Sequence, residues 1–103
     1  MASLNMEGPF TLSTKEIDSV VTETSAGNYA LGYSKADGTF IVKYVGRSDT
    51  DLNARLKDWV GDYKQFKASY ANSAQEAYKK ELKNFNDFGG TEKLDNENIP
   101  DKP

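Results

Sequence analysis

The chain has 103 residues, 13 Lys+Arg against 16 Asp+Glu for a formal charge of -3, and neither Cys nor His. That length supports one domain, and the two missing residue types exclude disulfides, thiolate metal sites, cysteine nucleophiles and Ser-His-Asp triads. A metal would have to be a hard cation on oxygen ligands, and a general base a carboxylate, a Tyr, a Lys or a metal-bound water.

Residues 1–12 read as an N-terminal extension with a loose tip. They lack the basic and apolar regions of a signal peptide, and no apolar run approaches the ~20 residues of a membrane span. The expectation is a cytoplasmic protein without a membrane partner. Ser13-Thr14-Lys15-Glu16 has capping-box spacing, and Ile17, Val20 and Val21 follow at helical intervals, which predicts a short helix. Ser25 to Asn28 breaks it. Tyr29 to Tyr33 alternates large and small residues, Asp37-Gly38 is a turn signal, and Thr39 to Val45 is rich in β-formers, so residues 28–45 predict a hairpin. Ser48-Asp49-Thr50-Asp51 starts a second helix over 50–60, with Leu52, Leu56, Trp59 and Val60 as its apolar stripe and Gly61 as its stop. Tyr63 to Tyr70 alternates again, as a third strand. Ser73 to Glu76 is a further capping box, heading a helix over 74–87 with Ala74, Ala77, Tyr78, Leu82 and Phe85 on its apolar face. Gly89-Gly90 ends it, and residues 91–103 are a polar tail or an extended segment strapped to the domain. The order α-β-β-α-β-α predicts one α+β domain over 13–98, with a small, mostly antiparallel three-stranded sheet flanked by helices and a tail over 99–103.

Glu81 falls on or beside the stripe that faces the sheet, where a carboxylate needs a partner or a metal; rimming the stripe in solvent is the alternative. Arg55 sits on the shoulder of its helix, functional there or simply snorkelling to water. Tyr29 and Tyr33 share a strand face, and Tyr44 ends the paired strand beside Gly46 and Arg47. Phenols near one sheet end can exchange protons or pack. From Lys43 to Asp87 there are nine basic residues against seven acidic, and in the two ends four against nine. Most of the acid therefore lies outside the segment that would meet phosphate. Lys64, Lys67, Lys79, Lys80 and Lys83 form either a modest phosphate-contact face or ordinary solvated surface. Phosphate loops, dinucleotide fingerprints, EF-hand loops and zinc motifs are absent.

In order along the chain, Gly27-Asn28-Tyr29, the hairpin, Tyr44-Val45-Gly46, a helix carrying Arg55 and a further helix with an inward Glu81 resemble the GIY-YIG nuclease family. The resemblance spans Gly27 to about Asn98. It implies a divalent-metal-dependent endonuclease that hydrolyses phosphodiester bonds in nucleic acid, with DNA the preferred partner. By this resemblance Glu81 holds Mg²⁺ or Mn²⁺ and Arg55 stabilises charge developing on phosphate. Tyr29 and Tyr44 line the site, one of them helping to deprotonate the attacking water. Asn96, with Asn98 second, stands for the Asn that the family usually has beyond its last helix. Arg47, Lys64 and Lys67 are the candidate phosphate contacts. Asn28 replaces the central apolar residue of the first motif, and 14 residues (30–43) separate Tyr29 from Tyr44; using Tyr33 instead leaves 10 (34–43). Trp59 stands where the family often has a His or Tyr that assists proton transfer, and an indole only donates. The alternative is a catalytically silent member that binds nucleic acid or protein.

Overall fold

A computed structural model describes residues 4–102; the tip expected to be loose, residues 1–3, lies outside them. Its elements run β1 (Glu7–Thr11), α1 (Thr14–Val20), β2 (Gly27–Ser34), β3 (Phe40–Ser48), α2 (Leu52–Lys57), β4 (Gln65–Tyr70), α3 (Ala74–Asp87) and α4 (Gly90–Lys93). Side-chain caps set the helix starts. The Ser13 and Ser73 hydroxyls accept from the backbone N–H groups of Glu16 and Glu76 at 3.2 and 3.1 Å, satisfying donors that the first helical turn leaves open. For α2 the cap is Asp51, which accepts from Ala54 N–H at 3.2 Å, while Ser48 serves the preceding turn by accepting from Asp51 N–H at 2.9 Å. The helix ends at Lys57, short of the expected residue 60.

The sheet has four strands in the order β1-β4-β2-β3, and every neighbouring pair is antiparallel. This corrects the expected three strands: β1 comes from the segment read as an N-terminal extension. With Phe10 alone half-buried among five residues, β1 carries no alternation to read. It is an edge strand, where Pro9 can lack an N–H, and it pairs Phe10 with Phe66.

Two apolar clusters lie on opposite sides of the sheet, because successive β2 residues face opposite ways. Tyr29 and Leu31 join Ile17, Leu52, Leu56 and Phe66 beneath α1 and α2, whereas Ala30 joins Val45, Phe85 and Leu94 on the side of α3. On β3, Val42 and Val45 face α3 while Tyr44 faces the other cluster. The register explains this: Leu31 opposes Tyr44 and Gly32 opposes Val42, so Lys43 is the extra residue of a β-bulge. Beyond α4 the chain returns along the free edge of β3, where Asp95 N–H donates to Lys43 O at 2.5 Å. The segment read from residue 91 as a tail or a strapped extended segment is, over the described residues to 102, the end of a short helix followed by a strap. Among the described residues, no helix is long and apolar enough to cross a membrane.

Candidate active site

Two glycines let the site close. The Tyr29 ring lies over Gly46, its partner across the hairpin, and a Cβ on Gly46 would sit 2.4 Å from the ring's Cζ and hydroxyl. A Cβ on Gly27 would meet Ser69 O at 2.6 Å and the Leu52 side chain at 2.7 Å, so only Gly lets the start of α2 pack this near to β2. Tyr29 is buried, and the Trp59 indole N–H donates to its hydroxyl at 2.9 Å. Tyr44 stacks on Tyr29 with centroids 6.4 Å apart and touches Trp59 at 4.5 Å.

Arg47, one residue past Gly46, reaches α3. Its Nη1 donates to Glu81 Oε1 at 2.6 Å, its Nε donates to Asp49 Oδ1 at 2.8 Å, and its guanidinium lies 5.3 Å from the Tyr78 ring centroid. The Arg47 and Glu81 side chains are only 13% and 11% exposed, so this pair is nearly withdrawn from water. Burial pushes the Glu81 carboxyl upward; the Arg47 bond pulls it back, and the net direction is up. Burial also opposes the Arg47 charge, but its bonds to Asp49 and Glu81 outweigh that and raise it. Burial lifts Tyr29 far above the ordinary phenol value, against a smaller pull from the Trp59 bond. Tyr44 is raised by burial and then by Glu81.

A cleft of about 410 Å³ is lined by Tyr29, Tyr44, Arg47, Arg55, Trp59 and Glu81, together with Asp49 and Asp101. Of the expected site residues, it thus gathers Tyr29, Tyr44, Arg55, Glu81 and Arg47. Arg55 is 54% exposed and lies 3.7 Å from Asp58, so it is free to turn to a ligand. Asn96 and Asn98 line an adjoining cavity instead. Both ends of the Asn96 amide are taken by one residue of β3: Oδ1 accepts from Val45 N–H at 3.0 Å and Nδ2 donates to Val45 O at 2.8 Å. Lys64 lines a separate cavity with Tyr33, and the Lys67 ammonium lies over the Phe40 ring at 5.4 Å; neither lines the cleft. Sequence reasoning missed Asp49 and Asp101. Asp49 was absorbed into a cap pattern, although its spacing of two from Arg47 on a strand end puts both on one side. Asp101, in a polar tail, gave no signal.

The donors facing the cleft are all oxygen, which suits a hard cation. Glu81 Oε2 has no hydrogen-bond partner among the described residues. Those residues also contain no group of three or more His, Cys, Asp or Glu that could hold a metal. If the cleft takes a cation, Glu81 is the residue that would hold it, through Oε2. The chain matches no protein-family model, no curated protein and no solved structure. What the cleft can do follows from its own chemistry: the Arg55 guanidinium can receive an anion, carboxylate oxygens can receive a cation, and two protonated phenols can donate.

Proposed function

We propose that this cleft hydrolyses phosphodiester bonds in nucleic acid in the manner of a GIY-YIG nuclease, with Mg²⁺ or Mn²⁺. The observation that carries the reading is the convergence of Tyr29, Arg55, Tyr44 and Glu81, from β2, α2, β3 and the far-side helix α3, on one cleft. Phosphoryl transfer chiefly needs positioning and charge stabilisation. Arg55 supplies a mobile fork for the phosphate oxygens, while Arg47, whose Nε and Nη1 are taken by Asp49 and Glu81, offers only its remaining N–H groups. Trp59 donates into the Tyr29 oxygen, which leaves the phenol's own proton to a cleft ligand. Tyr29 and Tyr44 are protonated at neutral pH, as any phenol is, and burial raises both further, so they orient water and phosphate as donors. Glu81 Oε2 would hold the cation, which would polarise the phosphate and acidify a water.

One observation favours a second reading, a silent nucleic-acid-binding domain. The Arg47–Glu81 bond takes one carboxylate oxygen and balances its charge, so a cation must compete with a guanidinium. A nicking assay on plasmid and a cleavage assay on RNA, each with Mg²⁺ or Mn²⁺, decide between them. Cleavage that falls about 100-fold or more in both Glu81→Ala and Arg55→Ala supports the nuclease. Salt-sensitive binding without cleavage supports the silent domain.

A further inference from the structure

We infer that the cavity adjoining the cleft holds one unpaired nucleobase that carries an exocyclic amino group. This rests on the phosphodiester reading and names its substrate: single-stranded or locally unpaired nucleic acid with A, C or G beside the bond. The cavity, about 440 Å³, shares Tyr44, Trp59, Glu81 and Asp101 with the cleft. Its volume is in the range of small-molecule pockets, roughly 300–1,000 Å³.

The two walls differ in kind. One is aromatic, with Tyr44, Trp59 and Tyr63 in succession at centroid separations of 4.5 and 6.1 Å. The other is the strap, anchored by the buried Leu94 and by the Asn96 amide on Val45, and from it Glu97 and Asn98 present exposed acceptors. No Lys or Arg is among the described residues lining the cavity. Phosphate is therefore repelled here and held next door, by Arg47 and Arg55. The group that fits is flat, able to stack, rich in N–H donors and not itself negative. Every nucleobase offers a π-face to an aromatic wall. Adenine, cytosine and guanine add an amino group that carboxylate and amide oxygens can accept, whereas thymine and uracil turn a carbonyl toward them. A paired, stacked base cannot enter, so the nucleotide is single-stranded or flipped out.

Trp59 is the chain's one Trp and lines both the cavity and the cleft, so its emission reports on that junction, and the abasic strand separates base binding from phosphate binding. The full chain is titrated in EDTA, which prevents metal-dependent cleavage, with oligonucleotides of dC, dA or dT and with an abasic strand of equal length and charge. Saturable quenching by dC and dA is expected, with affinity about 10-fold or more above the abasic strand. The preference over dT should vanish in the double variant Glu97→Ala/Asn98→Ala, whose sites are both exposed; circular dichroism checks its fold. Equal binding of the abasic strand, absent quenching, equal binding of dT, or a preference that survives the double variant would each overturn the inference. Base-selective quenching without cleavage in Mg²⁺ or Mn²⁺ upholds the pocket and rejects the nuclease. Cleavage of abasic and duplex substrates without quenching does the reverse.

Discussion

At Gly46 the lack of a side chain sets the place of Tyr29. A Cβ there would lie 2.4 Å from the Tyr29 ring, and the ring has nowhere to retreat because Trp59, Tyr44 and the sheet enclose it. Gly46→Ala is expected to destabilise the fold by about 1–3 kcal/mol, an overpacking penalty. It should also shift Trp59 emission as the bond to Tyr29 breaks. Urea unfolding and emission spectra test this, and a variant unchanged in both removes the steric account of the second motif's glycine. Glu81 carries a pH prediction. Its carboxyl is raised above the ordinary 4.5 by burial, so between that value and its folded value the native state binds more protons than the unfolded chain. Stability from this group is then greatest below 4.5 and falls as pH rises through the folded value. Glu81→Gln removes the term, so the wild-type minus variant difference in unfolding free energy should fall with pH across that window. A flat difference would mean that Arg47 fully offsets the burial. Glu81 was legible in the sequence because a carboxylate on an apolar stripe is an anomaly. Its partner was not, because a strand residue and a helix residue 34 positions apart share no local pattern.

The helix starts were legible because a capping bond is local: Ser13 and Ser73 each sit three residues before the N–H they accept from. The hairpin was legible for the same reason, its Asp37 carboxylate accepting from Thr39 N–H at 2.9 Å across the turn. β1 was not, and the strap was only one of two readings of its segment. β1 is a strand because β4 has an edge to fill, and the strap lies where it does because β3 has another. Asn96 carries that second closure, presenting to Val45 the donor and acceptor of a neighbouring strand. Its placement gives it a structural task whatever it contributes to chemistry. Asn96→Ala strands the buried Val45 N–H and C=O and is expected to cost about 1–3 kcal/mol. Asn96→Asp keeps the acceptor, loses the donor and buries a charge, so it should be no milder. Hydrogen exchange at Val45 checks the mechanism: protection there should fall more than at Leu31, inside the sheet. Equal loss at both would mean global destabilisation rather than an opened edge.

Across the whole molecule, charge counted along the chain differs from charge counted in space. The segment from Lys43 to Asp87 has an excess of basic residues, and the acid of the two ends was expected to stay away from phosphate. The fold brings part of it back. Asp101 lines the same cleft as Arg47 and Arg55, and Asp95 and Glu97 line the cavity beside it, while Lys64 and Lys67 lie elsewhere. Composition could not reveal this, since the strap is placed by the β3 edge and not by its own polar sequence. One consequence is measurable. A polyanion entering the cleft must approach Asp101, an exposed carboxylate beside the two guanidinium groups. Asp101→Asn removes that repulsion while keeping the side chain's size. At the scale of exposed charge interactions, about 0.2–1 kcal/mol, affinity for a short single strand should rise roughly 1.5- to 5-fold. The gain should shrink as added salt shortens the Debye length from roughly 30 Å at 0.01 M to 8 Å at 0.15 M. Fluorescence titration at the two salt concentrations measures both effects. Unchanged or weaker binding in the variant would place the nucleic-acid path away from the strap, and with it away from the cleft that Arg47, Arg55 and Glu81 share.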